Sequence, residues 1–209
     1  YWMGWPGASY DITARQADYK KTMIAAAEQF DVDLEVIDEP VQDLPDVDAL
    51  LTRCKQSAPD GVILTVMGLH PNYWPHAEKF IDKRGEIPTV IFAPMGVAFT
   101  GHLQKTRNAT KCFVASTQDY QWLTTGMRML RTIWDMQTSR LCIINGDQTV
   151  DQKLNVIGTT LHRIPLNRWT EELAKQETTP EVKQLAAEFT QIAEKIVEPK
   201  PQDIINAAK

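Results

Sequence analysis

The chain has 209 residues, 43% of them hydrophobic and 23% charged, with a formal net charge of -5, the profile of an ordinary soluble globular protein. That length allows one large domain, or one and part of another, with a core that needs no disulfide staples. The charge is spread along the chain with no basic patch, which argues against nucleic acid. The longest apolar run, 61–69, falls far short of the ~18 to 20 residues of a membrane span.

In chain order, residues 1–5 read as a strand closed by the Pro6-Gly7 turn, and 13–30 as a helix with Tyr19, Met23, Ala27 and Phe30 at helical spacing. Residues 33–37 alternate weakly as a second strand. A helix after Leu44-Pro45 runs through Val47, Leu50, Leu51 and Cys54. Residues 61–67 are apolar on both faces, the mark of a central parallel strand covered on each side. A loop carrying His70, Asn72, Tyr73, Trp74 and His76 follows, then a helix over 75–83, a strand over 89–93, an irregular crossover over 97–110 and a strand over 111–115.

The longest helix is expected over 119–136, with so broad an apolar surface that it should be well buried. Strands at 140–144 and 159–164 and a helix at 166–176 complete an alternating pattern. Strands separated by helices define an α/β fold: a doubly wound, mostly parallel sheet in a Rossmann-like three-layer sandwich. A change of character at the end sets the expected division, an α/β domain over 1–165 and a helical connector over 166–209 that begins a truncated second domain. Within the connector, Thr179-Pro180-Glu181 opens an amphipathic stripe of Val182, Leu185, Ala186, Phe189, Ile192, Ala193 and Ile196. The abrupt ends suggest a piece of a longer protein, and with no apolar leader the cytoplasm is the default compartment.

The chemistry begins with exclusions. No glycine-rich phosphate loop follows the first strand, no nucleophile elbow is present, and no cysteine lies beside a plausible base in sequence. Cys54, Cys112 and Cys142 lack the close pairing of a metal or redox motif and read as buried thiols. In open parallel sheets ligands collect outside the carboxyl ends of the strands. Trp5, the 70–76 loop and Ser116-Thr117-Gln118 all fall at such ends and would converge on one rim. Tyr73 and Trp74 read either as an aromatic platform for a sugar, whose C–H face packs on a ring, or as anchors holding the loop to the domain or a neighbouring subunit. His70 and His76 read as hydrogen-bonding loop residues, surface residues or metal ligands. The candidate substrate-binding set is Trp5, His70, Tyr73, Trp74, His76 and Gln118.

The order and content of these segments resemble the amino-terminal part of the L-fucose and L-arabinose isomerases. The resemblance rests on Tyr1 to Gly7 followed by Asp11, Asp60-Gly61-Val62-Ile63 entering an aromatic loop, Ile87-Pro88-Thr89-Val90-Ile91-Phe92, and Ala115-Ser116-Thr117-Gln118-Asp119-Tyr120 heading a helix with Met127-Arg128-Met129-Leu130. It implies an aldose–ketose isomerase that uses a divalent metal, commonly manganese, held by later carboxylates and a histidine. This chain would hold no catalytic residue and no metal. In a homo-oligomer it would cover the sugar at another subunit's cleft, with no nucleic acid or membrane partner. An alternative is a lobe of a periplasmic-type sugar-binding protein, which clamps its ligand without reacting it.

Overall fold

The computed structural model describes residues 11–67, 73–94 and 100–209. Contacts divide the chain into two units, one ending at Asp135 and one beginning at Met136. This division falls earlier than the 165/166 boundary read from the sequence and groups the last three strands with the C-terminal helices.

The first unit opens with α1 (Ile12–Phe30), capped by the Asp11 carboxylate, which accepts from the Ala14 N–H at 2.9 Å. Helix α2 (Leu44–Ser57) has a reciprocal cap: Asp43 accepts from the Asp46 N–H, and Asp46 accepts from the Asp43 N–H. Then come β1 (Val62–Thr65), α3 (Tyr73–Lys83), β2 (Thr89–Ala93), α4 (Thr100–Arg107), β3 (Cys112–Ser116) and α5 (Gln121–Thr138). The sheet is parallel in the order β1-β2-β3, with Val62 opposite Thr89 and Thr89 opposite Cys112.

Among the described residues, strand β2 has a ladder neighbour on each side and every residue of it is buried, whereas β1 is half-buried throughout. Alternation along β2 sorts the core by face. Ile91 and Ala93 pack with Val47, Leu51 and Cys54 of α2 and with Trp74, Ala77, Phe80 and Ile81 of α3. Phe92 packs on the other side with Tyr19 of α1 and Leu123 of α5. Helix α5 comes close because residue 126 is glycine: a Cβ there would lie 2.8 Å from Val90 Cγ1. Buried Arg84 ties the connections together, donating to the Ile87 carbonyl and, at 2.6 Å, to that of Thr110.

Several expectations are corrected. Residues 100–107 form a helix rather than an irregular loop. Helix α3 begins at Tyr73, so Tyr73, Trp74 and His76 belong to its first turns and not to a loop. Residues 33–37 form no strand among the described residues, yet Val32, Leu34 and Val36 are half-buried while Asp33, Glu35 and Ile37 are exposed. The strand expected at 1–5 lies outside the described residues. Helix α5 is not well buried all round: Leu123, Gly126 and Met127 are buried, whereas Trp122, Trp134 and Met136 stay well exposed.

The second unit contains β4 (Arg140–Ile144), β5 (Val150–Lys153), β6 (Thr160–Ile164), α6 (Leu166–Lys175), α7 (Pro180–Ile192) and α8 (Pro201–Ala208). Its sheet runs β4-β6-β5, with β4 parallel and β5 antiparallel to β6. The β5–β6 connection closes through Gly158, whose φ of +76° favours glycine, as its N–H donates to the Leu154 carbonyl at 2.8 Å. Strand β5 has no counterpart in the sequence reading, because Val-Asp-Gln-Lys holds one apolar residue and is exposed along its length. Thr179 caps α7, but the helix stops at Ile192, leaving Ile196 of the expected stripe beyond it.

Candidate functional site

The carboxyl ends of three parallel strands lie on one edge of the first sheet, and the described part of that rim is built around the turn from β3 into α5. Beyond Ser116 the Thr117 N–H still donates to the Ala93 carbonyl, at 3.1 Å, so the ladder carries the turn outward in a fixed direction. The Thr117 hydroxyl accepts from the Asp119 N–H at 3.1 Å. The Asp119 carboxylate accepts from the Gln121 N–H at 2.9 Å, engaging a donor that the start of a helix leaves unpaired. Between these two anchors Gln118 stands exposed.

Tyr120 joins this turn to α1. Its ring meets Tyr19 edge-on with centroids 5.1 Å apart, and Tyr19 meets Phe92 of β2 in the same manner at 5.2 Å. The Tyr120 hydroxyl accepts from the exposed Arg15 guanidinium, whose central carbon lies 5.8 Å from the ring centroid. The rim therefore presents a guanidinium, a carboxamide, a carboxylate and a phenol. Such groups can exchange hydrogen bonds with the hydroxyls of a small polar ligand, and the aromatic chain from Phe92 to Tyr120 holds them to the sheet.

Of the residues singled out in sequence, Gln118 lies on this rim. Trp5 and His70 lie outside the described residues, and Tyr73 is described only as the opening residue of α3. Trp74 is 2% exposed and packs in the α2–α3 core, so its ring offers no face to a ligand; it is the anchor of the two readings given above. His76 is likewise turned inward, at 7% exposure. Arg15, Asp119 and Tyr120 were absent from the sequence-derived set. Asp119 and Tyr120 adjoin Gln118, but nothing in the sequence joins Arg15 to a tyrosine 105 positions away.

The thiols divide by burial. Burial pushes the Cys54 and Cys112 thiols up from their ordinary range, whereas Cys142, expected to be buried, is exposed on β4. Two concavities lie away from the rim, one of about 230 Å³ beside the C-terminal end of α1 and an apolar one of about 340 Å³ between α7 and α8. Among the described residues no group of three or more His, Cys, Asp or Glu side chains is arranged to hold a metal, and no helix is long and apolar enough to cross a membrane. No family model, curated protein or solved structure matches this chain.

Proposed function

We propose that this chain is the amino-terminal α/β domain of a metal-dependent aldose–ketose isomerase of the L-fucose and L-arabinose type. In this reading it supplies loops that cover the sugar and contacts between subunits of a homo-oligomer. The manganese site and the carboxylate that moves the proton lie outside these 209 residues. The observation that carries the proposal is the Gln118–Asp119–Tyr120 turn with Arg15 beside it, a polar rim at the strand ends where a parallel sheet receives its ligands. The half-buried alternation of Val32, Leu34 and Val36, with Val32 and Leu34 packed against Ala26, Ala27 and Met127, supports extending β1–β3 into a doubly wound sheet through 33–37.

The division of labour follows from the side chains. Bound manganese would polarise the sugar's carbonyl and adjacent hydroxyl, the chemistry that lets a proton move between neighbouring carbons. Arg15, Gln118 and Asp119 would hydrogen-bond sugar hydroxyls and fix which end of the chain reaches the metal. None of them transfers the proton.

The test is to incubate the protein containing this chain with manganese and a panel of aldoses and to assay for ketose. Turnover of at least one aldose, lost on chelation, is the expected result. Tight binding of a sugar with no turnover on any member of the panel would overturn the isomerase reading in favour of a sugar-clamping protein.

A further inference from the structure

The second sheet gathers a set of side chains that the sugar reading does not use. Strands β4, β6 and β5 lie side by side in that order, with Cys142 opposite His162 and His162 opposite Asp151. Residues directly opposite in neighbouring strands project from the same face. A thiol, an imidazole and a carboxylate therefore cross one face in the sequence nucleophile, base, orienting acid.

We propose that Cys142 is a reactive thiol, assisted by the His162–Asp151 pair, that undergoes exchange with small-molecule disulfides. His162 Nδ1 lies 2.5 Å from Asp151 Oδ1. The Arg140 guanidinium also lies 3.1 Å from that nitrogen, but the shorter contact is to a carboxylate, which only accepts; we place the proton on Nδ1, so that Nε2 keeps the lone pair that can take the thiol's proton. The carboxyl of Asp151 is held below the usual range by the His162 hydrogen bond first and by Arg140 as well, whose guanidinium reaches its other oxygen at 2.5 Å. The imidazole is thereby fixed in orientation, and Arg140 and Lys153 add positive charge to the same face. Cys142 is exposed, whereas Cys54 is buried and Cys112 half-buried.

In the exchange, the Cys142 sulfur attacks one sulfur of the disulfide, a new S–S bond forms and the old one breaks. The thiol proton passes to His162 Nε2 and from there to the departing thiolate. Cys142 ends oxidised as a mixed disulfide and half of the small disulfide ends reduced as a thiol, with no other oxidant required.

The test uses a neutral dithiodipyridine and follows released thiopyridone. One of the chain's three thiols is expected to react in a fast phase that Cys142→Ser abolishes, while the other two stay slow until denaturant is added. His162→Gln and Asp151→Asn each slow that phase about tenfold or more, short of the roughly hundredfold at which general-base assistance typically begins, because a thiol is already partly ionised on its own. Amide exchange across 140–164 checks that the sheet persists in both. Independently of any variant, the native fast thiol should outpace the same chain unfolded, after correction with a small thiol in the same denaturant. A fast phase surviving Cys142→Ser, wild-type rates in both intact variants, or a native rate no faster than the unfolded one would each overturn the proposal.

Discussion

Replacing Trp74 by alanine separates a core anchor from a ligand platform. The indole is 2% exposed and sits among Val47, Leu51 and Cys54 of α2, Phe80 and Ile81 of α3, and Ile91 and Ala93 of β2. Removing so large a buried ring forfeits its transfer free energy and leaves a cavity that three elements cannot close, a loss of about 3–5 kcal/mol. At about 1.4 kcal/mol per tenfold, β2 amides that open with this unit should exchange roughly 100- to 3,000-fold faster. Amide exchange read on peptides spanning Thr89–Ala93 reports this directly, even if the two units unfold separately. Trp134 is the comparison: it is 38% exposed, with the Arg131 guanidinium 4.9 Å from its ring, and its replacement by alanine should cost only about 1 kcal/mol. Equal, small effects of the two replacements on β2 exchange would refute the packing argument, and more so if the Trp74 variant also lost sugar affinity at unchanged stability.

Gly126→Ala drives a methyl to 2.8 Å from Val90 Cγ1, and overpacking of about 1–3 kcal/mol outweighs roughly 1 kcal/mol of gained helix propensity; pairing it with Val90→Ala should give a favourable coupling in a denaturation cycle. Arg84→Met leaves the Ile87 and Thr110 carbonyls without their charged donor and should lower the urea midpoint by the equivalent of about 2–4 kcal/mol. Asp151 has a depressed folded pKa, so its contribution to the second unit is present above the ordinary carboxylate range and is lost as the pH falls through the depressed value. Asp151→Asn should therefore remove part of the acid-induced loss of stability seen in urea titrations, and an unchanged acid limb would count against the His162 and Arg140 pairing.

Helices with a stripe were legible in the sequence: Thr179-Pro180-Glu181 announces a start that the structure keeps, and Leu44-Pro45 marks the opening of α2, whose Asp43–Asp46 cap only the structure supplies. The strand at 89–93 was equally plain, but its fuller burial was not, because 61–67 is just as apolar and only packing distinguishes them. Helix α4 escaped notice since Thr-Gly-His-Leu-Gln-Lys-Thr-Arg offers too few apolar positions to set a period. Pro75 misled the reading of Trp74. A proline suggests that the helix starts there, yet it also fits inside the first turn, where its missing N–H breaks no hydrogen bond, so the helix starts at Tyr73 and carries Trp74 inward. Gln118 was visible as a strand-end residue, whereas the Arg15–Tyr120 contact and the Cys142–His162–Asp151 row exist only through pairing of distant segments.

Amide exchange of the protein containing this chain, compared with and without manganese and a saturating aldose that it turns over or binds, tests the sugar rim most directly. The proposal predicts added protection at 117–121 and at the start of α1 around Arg15, with the second unit unchanged. Protection confined to the second unit, or sugar binding that leaves the carboxyl ends of the first sheet unprotected, would contradict it.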